Sequence, residues 1–299
     1  MVLKICLFGR TGQVSTEIQR LAGPEIVVRA LGRDFADLAE PEACAAAVHT
    51  TDADVIINAA AYTSVDKAEE EEALATRINA DAPRAMATAA AARGLPFLHI
   101  SSDYVFDGAT AQPLDENAPA LPLSAYGRSK LLGEQAVTAT AGHHAVLRTS
   151  WVFSPHGSNF IKTILRYGAE RKELKVVNDQ IGGPTAARNI AATLITMAKA
   201  YADGRGVDGL FHYCGTPAVT WYGLAREVFR RHSDEGPEIY PIDTADWPAK
   251  ATRPANVVLN CDKIRDAYGI SQPDWRVELG NVLDELQSLG TASKTPSAS

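Results

Sequence analysis

Tyr126 and Lys130 stand four residues apart in the stretch Tyr126-Gly-Arg-Ser-Lys130. On a helix that spacing puts both side chains on one face, one turn apart. A phenol beside a fixed ammonium can pass a proton near neutral pH, because the positive charge favours the phenolate and lowers the tyrosine pKa. The pair alone says little. Tyr167/Arg171, Tyr201/Arg205 and Tyr222/Arg226 also set a basic residue four positions after a tyrosine, and an amphipathic surface helix would read the same way. The segments that precede the pair give it meaning.

The chain opens on an apolar run of strand formers at 2–8. Gly9-Arg10-Thr11-Gly12-Gln13-Val14-Ser15 follows, then a helical pattern over 16–21. Strand, glycine turn and helix in this order open a doubly wound nucleotide-binding sheet. The glycines permit a tight turn and let backbone N–H groups approach a pyrophosphate at the helix start. Ser15 replaces the usual third glycine, so an ordinary strand-to-helix turn is an equal reading. The second strand is expected at 26–31, ending in Gly32-Arg33. An NAD site usually has an acid there for the ribose hydroxyls. Two guanidinium groups, Arg10 and Arg33, favour a 2′-phosphate instead and point to NADPH. Asp34 and Asp37 keep NADH open, and both arginines also read as solvated loop charges.

A strand over 53–58 runs into Asn58-Ala59-Ala60-Ala61, whose small side chains leave room for a planar ligand. An acidic run at 69–72 and an alanine-rich helix over 80–93 come next. A strand at 95–101 then delivers Ser102-Asp103-Tyr104. A proline-rich loop at 113–122 leads to the helix of Tyr126 and Lys130. A parallel sheet collects its strand ends along one edge, so these turns and the Tyr/Lys pair can meet.

The whole chain has 299 residues, 46% hydrophobic and 22% charged, enough for a large core in one or two domains. A net charge of -7 argues against a general nucleic-acid binder. No apolar run approaches the length of a membrane span, and 2–8 is too short for a signal peptide. Cys6, Cys44, Cys214 and Cys261 are scattered, which fits buried thiols in a reducing cytoplasm and no zinc site. No metal ligands are assigned.

Gly9-x-x-Gly12, Asn58-Ala-Ala-Ala61, Ser101-Ser-Asp-Tyr-Val-Phe106 and Tyr126-x-x-x-Lys130 together resemble the extended short-chain dehydrogenase/reductase family. Within it, five further segments resemble the dTDP-4-dehydrorhamnose reductase family. They are Ala61-Tyr-Thr-Ser-Val-Asp-Lys-Ala-Glu69, Arg148-Thr-Ser-Trp-Val-Phe153, Asn159-Phe160, Asp179-Gln-Ile-Gly-Gly-Pro-Thr185 and Arg253-Pro-Ala-Asn256. The likeness spans residues 1 to about 285. It implies an α/β fold with a Rossmann-type doubly wound parallel sheet over 1–150, rejoined by 186–216. A smaller substrate-binding domain would comprise 151–185 and 217–290, followed by a disordered tail at 291–299.

The resemblance also implies a reaction: NADPH-dependent reduction of the 4-keto group of dTDP-4-dehydro-L-rhamnose. Tyr126 would give the proton. Lys130 would lower the Tyr126 pKa and hold the nicotinamide ribose. Ser102, where these reductases usually have threonine, would orient the carbonyl. Implied cofactor contacts are Gly9, Arg10, Thr11, Gly12, Gln13, Val14, Arg33, Asp37, Leu38, Ala59, Ala60, Ala61, Tyr62 and Thr63, besides Tyr126 and Lys130. Implied substrate contacts are Val65, Ser102, Asp103, Tyr104, Trp151, Asn159, Phe160 and Arg253, the last as diphosphate partner. Trp151 also reads as core, and His212 as a satisfied core histidine.

Two other readings stand beside this one. A nucleotide-sugar epimerase or dehydratase shares the pattern, but a dehydratase wants an acidic pair, and Tyr104 follows Asp103 where glutamate would be needed. A non-catalytic NADP-binding regulatory subunit shares much of it too. The chain is read as a monomer or homodimer. Some relatives dimerise through magnesium held by carboxylates, and Gln13 and Arg188 stand where those acids would be sought, which speaks against a magnesium bridge.

Overall fold

The computed structural model describes residues 2–232 and 236–292. Strand β1 (Leu3–Phe8) leads through the glycine turn into helix α1 (Gln13–Arg20). The helix starts earlier than the expected residue 16, because it begins directly after the extended Gly12 (φ -69°, ψ 159°). No side chain caps it, so its first N–H groups are left for another partner. Strand β2 (Ile26–Leu31), helix α2 (Pro41–Thr50) and strand β3 (Val55–Asn58) follow. Two short helices, α3 (Val65–Ala68) and α4 (Glu72–Thr76), pass through a π-turn (Arg77–Asp81) into α5 (Ala82–Ala92). Strand β4 (Phe97–Ser102), helix α6 (Ala125–Thr138) and strand β5 (His144–Thr149) complete this half.

The remaining strands are β6 (Val152–Phe153), β7 (Glu173–Val177), β8 (Ile181–Gly182), β9 (Thr185–Ala186), β10 (Gly209–His212), β11 (Val219–Thr220) and β12 (Glu238–Ile242). The remaining helices are α7 (Phe160–Glu170), α8 (Ala187–Ala202), α9 (Trp221–His232), α10 (Asp262–Tyr268) and α11 (Trp275–Ala292). Of the expected tail at 291–299, residues 291 and 292 end α11, and the rest lies outside the described residues.

Six parallel strands form the central sheet in the order β10-β5-β4-β3-β1-β2. Helices cover both faces, which is why its strands read as continuous apolar runs. Along β1, Ile5 and Leu7 face one core with α1 and α8, while Cys6 and Phe8 face another with α2 and α5. Full burial of a side chain such as Phe8 contributes about 1.5–3 kcal/mol. The chain leaves β1 to one side for β2 and to the other for β3. Ligands in such sheets bind at that reversal, outside the carboxyl ends of the strands.

A further core gathers Phe153, Ile161, Ile164, Leu174, Leu224, Val228, Trp275 and Leu279 from β6, α7, β7, α9 and α11. Strands β7 and β12 pair in parallel beside it. The segment 217–290 is divided between cores. Leu259, Cys261 and Ile264 pack in the first core against the sheet, because α10 lies beside β10.

Helix α6 is pressed hard against its neighbours. A Cβ on Gly133 would sit 2.0 Å from the Asn79 carbonyl oxygen, and one on Gly127 would sit 2.2 Å from that of Tyr104. The π-turn presents the Asn79 side chain to both sides. Its Nδ2 donates to the Tyr62 carbonyl (3.0 Å) and to Ser129 Oγ on α6 (2.9 Å), and its Oδ1 accepts the Tyr62 N–H (2.8 Å).

Candidate active site

The glycine turn lies at the reversal between β1 and β3. Gly9 adopts φ +105°, which side-chain-bearing residues rarely take, and a Cβ there would meet Ser15 Oγ at 2.7 Å and Ala60 at 3.4 Å. Arg10, Thr11 and Gly12 are exposed at the rim, and Val14 is buried beneath it. Ser15 Oγ is buried without a hydrogen-bond partner. An open helix start, a close-approach glycine and an orphaned hydroxyl fit a pyrophosphate. Ala59, Ala60 and Ala61 form the facing wall, half-buried.

The two arginines differ. Arg10 is held by Asp34, 2.9 Å away, on the surface. Arg10, expected near a 2′-phosphate, is therefore paired with a carboxylate on the exposed rim. Arg33 is exposed at the end of β2 and has no hydrogen bond or ion pair among the described residues. Asp37 accepts the Ala39 N–H (3.0 Å) and closes a turn, and Leu38 is buried beside it. Thr63 is exposed, and the Tyr62 hydroxyl donates to Glu71 (2.8 Å).

Ser102 ends β4, and α6 carries Tyr126 and Lys130. The serine cap of α6 sets its start: Ser124 Oγ accepts the Gly127 N–H at 3.2 Å, a bond worth about 1 kcal/mol in such caps. All three side chains are buried. Ser102 Oγ donates to Asp103 Oδ1 at 2.8 Å and accepts the Tyr104 N–H at 3.2 Å. Burial raises the Tyr126 pKa, and a hydrogen bond with Ser102 partly opposes it. Burial likewise pushes the Asp103 carboxyl up to about 7, against the Ser102 hydrogen bond, and its Oδ2 has no partner. Tyr104 meets the Tyr126 ring edge-on, centroids 5.4 Å apart, and Val65 and Tyr62 pack against the same cluster.

Lys130 Nζ reaches the Ile100 carbonyl (2.8 Å) and His99 Nε2 (3.4 Å), and burial is the largest influence on the Tyr126 pKa. Burial lowers the Lys130 pKa to about 8, partly offset by Glu134. His99 carries no sequence signal, since it sits within a strand that reads as core, whereas its partner Asn58 opens the Asn58-Ala-Ala-Ala61 turn.

On the substrate side, Trp151 has a left-handed backbone (φ 45°) and stacks face to face on Trp221, 3.5 Å between centroids and 7° between planes. Phe160 leans on Trp221 at 4.6 Å, and Trp221 donates its N–H to Gln180 (3.2 Å). Trp221 was not among the residues expected here. Its neighbours in sequence form an ordinary amphipathic helix, so only the fold reveals it. Asn159 caps α7 by accepting the Lys162 N–H (3.1 Å), and donates to Gln13 Oε1 (2.8 Å). Ser154 donates to the same oxygen (2.8 Å). Gln13 and Asn159, expected on cofactor and substrate respectively, bind each other, and their amides complete one network between α1 and α7.

Arg253 reaches the site across the chain. Its guanidinium binds Asp66 (2.8 Å), and the Ala251 N–H donates to the same carboxylate (3.0 Å). Lys250 pairs with Glu70 nearby. No group of metal-binding side chains occurs among the described residues.

A parallel doubly wound sheet with a glycine turn at its reversal, and a buried serine, tyrosine and lysine gathered at the same strand edge, defines an extended short-chain dehydrogenase/reductase. The family model described as RmlD substrate binding domain matches residues 3–288, and the chain belongs to that family. It is 41% identical over 297 residues to a dTDP-4-dehydrorhamnose reductase of Burkholderia thailandensis, covering 96% of this chain and 100% of that one. It is 39% identical to the enzyme of the same name from Sinorhizobium fredii, over 91% of this chain and 94% of that one. Among solved structures, a dTDP-4-dehydrorhamnose reductase from Bacillus anthracis in complex with NADP superposes with a TM-score of 0.89 at 30% identity, over 95% of this chain and 100% of that one.

Proposed function

We propose that this chain reduces the 4-keto group of dTDP-4-dehydro-L-rhamnose with NADPH, giving dTDP-L-rhamnose. The observation that carries the reading is the buried cluster of Ser102, Tyr126 and Lys130 at the sheet edge where the glycine turn opens. When bound, NADPH supplies the hydride to the carbonyl carbon. Gly9, Gly12, the start of α1 and Arg33 would hold its phosphates. Ser102 orients the carbonyl by hydrogen bonding to its oxygen. Tyr126 gives that oxygen a proton. The raised Tyr126 pKa keeps the phenol protonated at neutral pH, which is the form a donor needs. Incubating the purified protein with NADPH and a series of sugar nucleotides, and following loss of the reduced-nicotinamide absorbance, tests the assignment. Oxidation with the dTDP-4-keto-6-deoxy sugar supports it. No oxidation with any sugar nucleotide, despite tight NADPH binding, would turn the reading to a regulatory subunit.

Arg33→Ala is expected to weaken NADPH by roughly 1.5–3 kcal/mol, the range of a lost charge-assisted contact, and to leave NADH nearly unchanged. Titration of both cofactors against wild type and variant reads this out. Equal losses would place Arg33 away from the 2′-phosphate.

Trp151, Trp221 and Phe160 offer aromatic faces for the sugar nucleotide, and Arg253 the diphosphate contact. Arg253→Ala should raise KM for the sugar nucleotide and weaken competition by free dTDP, with NADPH affinity unchanged. Asp66 already holds that guanidinium, so the diphosphate must share it. Equal inhibition by dTDP in both proteins would exclude Arg253 as its ligand.

A further inference from the structure

Lys130 stands at the end of a hydrogen-bond chain that begins on a backbone amide. The Ala60 N–H donates to Asn58 Oδ1 at 3.1 Å. That fixes which way the Asn58 amide faces, so its Nδ2 is the atom 3.1 Å from His99 Nδ1. An amide nitrogen only donates, and His99 Nδ1 must therefore present a lone pair. A neutral imidazole with a bare Nδ1 carries its proton on Nε2. His99 is fully buried, and burial together with the neighbouring lysine holds its pKa well below 6.5, so the ring is neutral. Its Nε2–H then faces Lys130 Nζ at 3.4 Å.

An ammonium there would set donor against donor. A free amine offers a lone pair to Nε2–H and still donates to the Ile100 carbonyl at 2.8 Å. We propose that His99 is a positioning residue that selects the amine form of Lys130 by offering it a donor N–H. The inference rests on the reading of Lys130 as the lysine of the active site. Burial pulls the lysine the same way. The charged groups around the pair do not reverse this. Glu134, one turn further along α6, favours the ammonium, but Arg148 of β5 binds both its oxygens, at 2.8 and 2.6 Å. The other contacts of His99, with the Asn58 amide and the Phe97 ring, carry no charge.

The consequence is a lysine whose charge is present below about pH 8 and lost above it. Activity that depends on the cation beside Tyr126 should fall along the same alkaline limb. Removing the donor N–H lets the lysine return toward its ordinary value, so the limb moves to higher pH.

The test is to titrate Lys130 by NMR in protein labelled at the lysine ε-carbon, with the signal assigned through Lys130→Arg. In His99→Phe the midpoint is expected to rise by about one unit or more, the scale of a lost buried hydrogen bond. In His99→Gln, whose amide offers an acceptor to Asn58 and an N–H to Lys130, the midpoint should stay near that of wild type. Asn58→Leu keeps His99 but removes the donor that fixes its tautomer, and should raise the midpoint as well. It also serves if His99→Phe does not fold. The alkaline limb of kcat/KM should follow the NMR midpoint in each variant. An unchanged midpoint in folded His99→Phe and Asn58→Leu overturns the proposal, as does an equal rise in His99→Phe and His99→Gln. The titration needs neither substrate nor cofactor, so failure of the reductase reading would leave its result intact.

Discussion

Tyr126→Phe is expected to fold, to bind NADPH as wild type does, and to lose at least about two orders of magnitude in turnover, the scale of a missing general acid. The fold should survive because the change strands no buried donor. Ser102 keeps its bond to Asp103, and the ring keeps its edge-on contact with Tyr104. Binding should survive because the glycine turn and Arg33 lie on β1 and β2, away from the phenol. What disappears is the phenol hydroxyl that hands a proton to the developing alkoxide. Steady-state rates on the purified variant, with NADPH affinity measured separately, check this. Turnover within a few-fold of wild type would remove Tyr126 from the proton step.

The second large effect concerns stability. Arg148 and Glu134 form a bidentate ion pair, each side chain 4% exposed, that pins α6 to β5. Glu134→Ala should cost about 3–5 kcal/mol, because it leaves a buried guanidinium without its counter-charge. The residual contacts, His212 Nε2 at 3.3 Å and the Phe106 ring at 4.8 Å, carry no negative charge. Replacing both partners, Glu134→Leu with Arg148→Met, should recover most of that loss, since two well-packed apolar groups need no desolvation of charge. Urea unfolding of the single and double variants measures the difference. A single variant as stable as wild type would show that the pair contributes little.

Much of the fold was written in local pattern. The second strand is visible because an apolar run at 26–31 is bounded by Pro24-Glu25 and by Gly32. The glycine turn and the Tyr/Lys helix are visible because their residue types are dictated by backbone geometry and one-turn spacing. The rest depends on partners far away in sequence. Arg10 and Arg33 look alike until Asp34 is seen to pair with one of them. Asn159 looks available for a sugar until Gln13, on the first helix, is found against it. The surroundings of Lys130 Nζ include His99, held by Asn58, and the interior strand position of His99 reads as packing. The π-turn at Arg77–Asp81 is invisible in an alanine-rich helix, because its cause is the Asn79 side chain reaching Tyr62 and Ser129.

The stacked indoles of Trp151 and Trp221 have an optical consequence. All four tryptophans of the chain, Trp151, Trp221, Trp247 and Trp275, fall after the first five strands of the sheet. Indole emission therefore reports the environment around α9 and α11 and is nearly blind to the glycine turn and β1 to β4. Far-ultraviolet circular dichroism sees the helices of both halves. Coincident transitions by the two probes in denaturant would mean that the cores melt as one cooperative unit. An emission change that precedes the loss of ellipticity would mean that the tryptophan-bearing core opens while the dinucleotide sheet is still intact, which is a separation that no added label is needed to see.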